Sequence, residues 1–270
     1  MSHYGPQPWV QRHWDLRAAA NFMLGGTGAG LLIASAVALP VPGFSILAGL
    51  ALIAIGLGAV WLEIGRKLRA LHVFFNPRTS WMTRESFAAV VVFALGICAL
   101  VWPRPWLLFA LALAAASFVY CQARILRTSK GIPAWRAPEV VPLIVTTALA
   151  EGAGAALLFE AAPLVFPLAG LALVARAIAW AFYTRALKQE RCAATLEQPG
   201  KMVVWLGTAV PLGLLAATYV DPRAALLAGV ATVAAGWWLK HALVTRAAFN
   251  QGFALLHLPV RGARPGGVQR

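Results

Sequence analysis

The stretch GFSILAGLALIAIGLGAVWLEI, residues 43–64, carries one charged side chain, Glu63, next to its end. About 20 consecutive apolar residues coiled as a helix cross the hydrocarbon core of a bilayer. Outward from it, seven further stretches read the same way: 18–39, 85–102, 105–123, 139–161, 163–184, 202–220 and 223–245. Residues 1–246 are therefore expected to form an all-α integral membrane bundle of eight transmembrane helices. Residues 247–270 are expected to be a cytoplasmic interfacial segment that starts as an amphipathic helix and ends as a flexible tail.

Composition points the same way. Of 270 residues, 60% are hydrophobic and 12% charged, against about 45–50% and about a quarter in ordinary soluble domains. Nine acidic and 23 basic residues cannot supply the polar shell that a soluble domain needs. A soluble globular chain and a disordered one are both excluded. Short proline-bearing turns at Leu39–Gly43, Trp102–Pro105, Ala162-Pro163 and Asp221-Pro222 close four hairpins, because proline ends one helix and can open the next.

Longer connections at 65–84, 124–138 and 185–201 alternate with these hairpins, and they carry the charge. Two Lys/Arg fall in the N-terminal segment, five in 65–84, four in each of the other two long loops, and five from Lys240 onward. That places twenty on one side against Arg104 and Arg223 on the other, with Arg176 inside a span. Positive loops stay in the cytoplasm, so both termini and the three long loops are expected there. The net charge of +14 is then a topology signal, and no nucleic-acid partner is expected. The N-terminal MSHYGPQPWVQRHWDLR lacks an apolar core with a cleavage site, so no cleavable signal peptide is expected. Cys98, Cys121 and Cys192 have no metal-ligand spacing, and no metal site is expected in this chain.

Three features carry candidate chemistry. Gly25-Gly-Thr-Gly-Ala-Gly30 in the first span places small residues four apart, which favours close helix packing and leaves room for a flat ring. Residues 63–85 gather Glu63, His72, Glu85, five cations and several aromatics at the membrane boundary. Either this is a positive-inside loop with Glu85 at a helix start, favoured by the dipole, or its carboxylates exchange protons with a bound quinol. Glu151 and Arg176 lie inside spans five and six, where charges are costly and commonly functional. The tight hairpin puts them at depths about 4 Å apart, so they are expected to pair, as structural glue or as part of a proton path. Of His3, His13, His72, His241 and His257, only His241 lies within a span. A two-histidine haem site is not expected.

Three segments resemble the NrfD-like membrane anchors of complex iron–sulfur molybdoenzymes, the polysulfide reductase/dimethyl sulfoxide reductase type. They are Trp14–Gly30, with its tryptophan ahead of a glycine-rich first helix; Gly65–Ala70 followed by Asn76–Glu85, like the family's HLGxPxRA and SWxxRE; and Ile132-Pro-Ala-Trp135, like its PAW segment. The chain departs from the pattern at Glu63, where members often have His, and at Lys67, where they often have Pro; His72 can stand in for the missing imidazole.

The resemblance implies an eight-helix anchor that binds ubiquinone or menaquinone, holds no haem, and exchanges electrons with an iron–sulfur subunit. Molybdenum or tungsten pterin and iron–sulfur clusters would lie only in partner subunits. It makes Glu85 the proton-handling carboxylate with Glu63 and His72 beside it, and Trp14, Asn21, Arg69, Trp81 and Arg84 the quinone-pocket neighbours. With the long loops facing the cytoplasm of a bacterial inner membrane, the iron–sulfur and molybdopterin or tungstopterin subunits would dock there. A cytoplasmic CoA thioester such as phenylacetyl-CoA, as in phenylacetyl-CoA:acceptor oxidoreductase, would suit that arrangement. The rival expectations are a small-solute transporter and a structural anchor with no quinone site.

Overall fold

A computed structural model describes residues 9–37, 43–64, 67–159 and 163–250, with the side chains of 67–69 excepted. Among the described residues there is no strand, only helices, turns and one isolated bridge. Eight helices are long and apolar enough to cross a membrane, as in a multi-pass membrane protein: α1 Leu16–Ser35, α2 Gly43–Glu63, α3 Trp81–Val101, α4 Pro105–Thr128, α5 Val140–Phe159, α6 Val165–Ala186, α7 Cys192–Ala217 and α8 Ala224–Arg246. Large side chains such as Ile55, Phe109, Leu171 and Phe182 stand exposed on their outer faces. In water these would be a liability; against lipid they are the expected surface.

Burial sorts the helices into two layers. The most apolar window of α1 is 78% buried and that of α5 72%, against 28% for α3 and for α7. The centre is the crossing of α1 and α5, with α2 and α4 packed on α1, and α6 and α8 on α5. Glycine allows that crossing: a Cβ on Gly152 would overlap the backbone of Gly30, and one on Gly28 would press into α2 at Gly49. The packing reading of Gly25–Gly30 therefore describes how α1 is used. Small residues let two backbones meet where larger side chains would hold them apart.

Helix edges differ from the hydropathy reading where polar residues continue a helix. α3 begins at Trp81 rather than 85 because Ser80 caps it, its Oγ accepting from the Thr83 amide at 3.3 Å. α4 runs on to Thr128, and α7 begins at Cys192, some ten residues before the apolar run. The Cys192–Val204 stretch is helical because its buried face, Cys192, Leu196 and Val203, packs into the core, although Glu197, Gln198 and Lys201 lower its hydropathy. Asp15 caps α1, accepting from the Arg17 amide at 2.7 Å. The Arg17 side chain and amide hold the Asp15 carboxyl below its ordinary value.

After Arg246 the described residues are not helical. Ala248 and Asn250 pair in antiparallel fashion with the N-terminal segment, through Gln11 N to Ala248 O at 2.9 Å and Asn250 N to Trp9 O at 3.0 Å, and Ala247 and Ala248 are fully buried. The expected interfacial helix thus begins instead as an extended clasp; residues 251–270 lie outside the described residues.

Candidate functional site

The cavity at the long-loop end of the bundle has a volume of about 760 Å³ and lies between α1, α2, α3 and a short 3-10 helix, Lys67–Phe75. Its wall is mostly apolar, with Phe22, Leu57, Leu71, Phe74, Ala89 and Phe93 prominent. Trp61, Met82 and Val90 line it too and are themselves exposed on the outer surface, so the cavity communicates with the lipid-facing side. The polar groups on the wall are Trp14, Asn21, Glu63, Glu85 and Ser86.

Glu85 is buried in the second turn of α3 because the Ser80 cap starts that helix four residues before the hydropathy reading does. It therefore does not sit at the helix start where a dipole would favour it. Asn21 Nδ2 donates to Glu85 Oε1 at 3.1 Å, and among the described residues no cation pairs with this carboxyl group. Asn21 is presented by a π-helical turn, Asn21–Gly25. Such a turn widens the helix and releases a backbone carbonyl, here that of Asn21, which accepts from Gln122 Nε2 at 2.9 Å. Gly25 leaves the space for that amide: a Cβ there would lie 2.8 Å from Gln122 Nε2. Among the described residues, Asn21 Oδ1 and Gln122 Oε1 are buried without a hydrogen-bond partner.

Trp14 is fixed from behind. Its ring stacks on Trp135 with centroids 4.9 Å apart, and Trp135 Nε1 donates to Leu243 O at 2.9 Å. Gln11 holds the Trp14 backbone at both ends, accepting from its amide at 2.7 Å and donating to its carbonyl at 2.8 Å. The Ile132–Trp135 segment singled out in the sequence is in this way the buttress of a cavity wall.

The structure thus brings Trp14, Asn21, Glu63 and Glu85 to one cavity and leaves three other expected neighbours away from it. His72 is exposed, edge-on to Phe75 at 5.4 Å. Arg84 turns toward the loop, donating to Pro77 O at 2.9 Å and Arg78 O at 2.7 Å. Trp81 carries the guanidinium of Arg84 at 4.2 Å and that of Arg124 at 4.3 Å. These cation–π contacts tie α3 to α4, and the Arg84 hydrogen bonds hold the loop against α3. The Arg69 side chain lies outside the described residues.

The expected Glu151–Arg176 pair is not formed. Glu151 Oε2 pairs with Lys240 Nζ of α8 at 2.6 Å, and both side chains are fully buried. Thr27 Oγ1 lies 2.8 Å from the same Oε2, and Trp237 Nε1 donates to Thr27 Oγ1 at 2.8 Å. Arg176 instead donates to the carbonyls of Gly207 and Thr232, the first freed by a second π turn, Trp205–Ala209. Lys240 therefore does not belong with the loop charges, since its amine turns into the bundle. Gly26 makes room for that amine and Gly236 for the Glu151 carboxylate.

Sequence reasoning missed Gln122, Lys240, Thr27 and Trp237. Gln122, a lone amide at the end of an apolar run, was the visible signal among them. The chain matches no protein-family model and no curated protein.

Proposed function

We propose that this chain is the membrane anchor and quinone-reactive subunit of a multisubunit molybdenum or tungsten iron–sulfur oxidoreductase. One observation carries the reading: a buried carboxyl group, Glu85, bonded to an amide and, among the described residues, to no cation, lines an apolar cavity that reaches the lipid-facing surface. The cavity lies within the range of about 300–1,000 Å³ typical of small-molecule sites. Asn21 Oδ1, buried and without a partner, is an acceptor suited to a quinol hydroxyl. The residues present therefore fit a quinone headgroup, which when bound supplies a lipid-soluble carrier of two electrons and two protons.

In this reading Asn21 orients the carbonyl or hydroxyl group and Glu85 holds the proton exchanged with it. Trp14, Phe22 and Phe74 exclude water, and Glu63 at the rim passes protons to the aqueous boundary. The basic long loops, with Arg78, Arg124, Arg127 and Lys130, dock the iron–sulfur subunit and through it a molybdopterin or tungstopterin subunit. The 20-to-2 charge bias counted in the sequence supports a bacterial inner membrane with both termini cytoplasmic, one cation fewer now that Lys240 is internal. The substrate of the partner subunit would be a cytoplasmic CoA thioester such as phenylacetyl-CoA. The resemblance of three segments to NrfD-like anchors supports the assignment.

Gentle solubilisation followed by identification of co-purifying subunits, an optical spectrum and quinone extraction tests it. Iron–sulfur absorption, a pterin subunit and bound quinone are expected. A partner-free protein containing no quinone would overturn the reading. If that protein also accumulated a solute when placed in vesicles, the transporter would replace it, with the interior Glu151–Lys240 pair as its pathway.

A further inference from the structure

The Thr27 hydroxyl has one hydrogen and two acceptors at equal distance. Met23 O lies 2.8 Å from Oγ1, and Glu151 Oε2 also lies 2.8 Å away. Trp237 Nε1 donates to the same oxygen and so leaves the hydroxyl hydrogen free to choose. A hydroxyl donates one hydrogen bond at a time, and an ionised acceptor is bonded more strongly than a neutral one. Met23 belongs to the π turn Asn21–Gly25 that presents Asn21 to Glu85. The choice made at Thr27 thus links two buried polar groups on different sides of α1.

We propose that Thr27 is a positioning residue that relays the charge state of the Glu151–Lys240 pair into the π turn carrying Asn21. While Glu151 is a carboxylate paired with Lys240, it takes the Thr27 hydrogen and the Met23 carbonyl keeps only the Gly26 amide as its donor, so the π turn is open. When Glu151 is neutral, the hydrogen goes to Met23 O and tightens the turn at its centre, two residues from Asn21. The groups facing the pair from its neighbours are Thr27 of α1, Arg176 of α6 and Trp237 of α8. Arg176 contributes only its field, because its hydrogen bonds go to the Gly207 and Thr232 carbonyls. Gly26 keeps the contact close, since any side chain there would displace the Lys240 amine. The coupling stands on this geometry alone; its consequence for quinone binding rests on the reading of the Glu85 cavity proposed above.

The test is infrared spectroscopy of the full chain in detergent, following the carboxyl band of Glu85, identified as the band lost in Glu85→Gln. Glu151→Gln is expected to shift that band, because the Thr27 hydrogen then goes to Met23 O; Thr27→Val, which leaves Met23 O without the hydroxyl as in the paired state, is expected to leave it in place. The double variant is expected to keep the band where Thr27→Val leaves it, because without the hydroxyl the charge state of Glu151 has no route to the turn. Thr27→Ser, which keeps the hydroxyl and loses only a methyl group, is expected to restore the response to Glu151→Gln. Circular dichroism confirms that each variant is folded; if Thr27→Val is not, Thr27→Ala takes its place. A band that moves with Glu151→Gln by the same amount whether or not the hydroxyl is present would overturn the proposal. In parallel, decylubiquinone affinity is expected to fall about tenfold in Glu151→Gln, the scale of one lost hydrogen bond, and not in Glu151→Gln combined with Thr27→Val. If the band shifts as expected but decylubiquinone does not bind even the unaltered protein, the quinone reading fails and the coupling stands.

Discussion

Lys240 Nζ lies 2.6 Å from Glu151 Oε2, and neither side chain has exposed surface. A cation of α8 and an anion of α5 therefore meet inside the bundle, against the first turns of α1 beyond Asn21. Removing one partner of a buried pair leaves an uncompensated charge and costs about 3–5 kcal/mol, whereas replacing both with apolar residues is often neutral or stabilising. Glu151→Ala and Lys240→Met are each expected to destabilise the protein by that amount. The double change Glu151→Leu with Lys240→Met should recover nearly all of it. Reversible unfolding in mixed micelles, titrated with a denaturing detergent, gives the comparison, and a double variant no better than the singles would show that the pair's geometry contributes more than its charge.

The eight spans were legible because lipid asks every membrane-crossing helix for the same long apolar run, and α2 shows it without interruption. The boundary carboxyl Glu85 was legible as a polar residue beside an apolar stretch, and its neighbour Asn21 only through the resemblance of Trp14–Gly30 to the NrfD-like pattern. The partner of Glu151 was not. Lys240 stands six residues before the end of α8 and reads as a boundary cation. Whether its amine turns outward to water or inward to a carboxylate depends on the rotation of α8 against α5, which no single helix records. The π turns were hidden for a related reason. Each is matched to a side chain far along the chain, Gln122 for Asn21 and Arg176 for Gly207, so its signal is a contact and not a local pattern.

The α1–α5 crossing predicts a sharp response to one methyl group. A Cβ on Gly152 would overlap the Gly30 backbone, and backbone cannot move aside as a flexible side chain can. Gly152→Ala is expected to cost about 1–3 kcal/mol, the usual range for overpacking, in the same micellar unfolding assay. Gly58→Ala, at a glycine inside α2 whose Cβ would meet nothing within 4 Å, is the control and should keep or raise stability, since alanine is the better helix former.

Asp15 predicts a pH dependence of known sign. Its carboxyl, bonded to the side chain and amide of Arg17, ionises below its ordinary value of 3.8. A carboxyl group with a depressed value in the folded state contributes stability above its unfolded value, and loses it as the pH falls through the folded one. Thermal unfolding between about pH 5 and about pH 3 should therefore show the unaltered chain weakening as acid is added. Asp15→Asn keeps a capping oxygen without a titrating group, and its stability should vary less over the same window. Parallel curves for the two proteins would remove Asp15 as the source.

Arg84 was expected in the pocket and instead lies over Trp81, bonded to the loop carbonyls of Pro77 and Arg78. Arg84→Ala should therefore loosen residues 76–80 and leave the cavity as it is. Decylubiquinone affinity is expected to change by less than about threefold, under 1 kcal/mol, while limited proteolysis in the loop speeds up. A tenfold loss of affinity with an unchanged loop would return Arg84 to the site.

Glu85→Gln separates proton transfer from binding. Glutamine has nearly the same shape, and its amide oxygen can accept from Asn21 Nδ2 as the carboxylate oxygen does at 3.1 Å, so decylubiquinone affinity should stay within about threefold. What is lost is a group able to give and take a proton, and such groups contribute about 10²–10⁴-fold to rate. Quinone-linked turnover of the purified complex is expected to fall at least about 100-fold with assembly intact on size-exclusion chromatography. Turnover at the unaltered rate would mean that protons reach the cavity without Glu85, and Glu63, the other carboxyl group on its wall, would be the residue to substitute next.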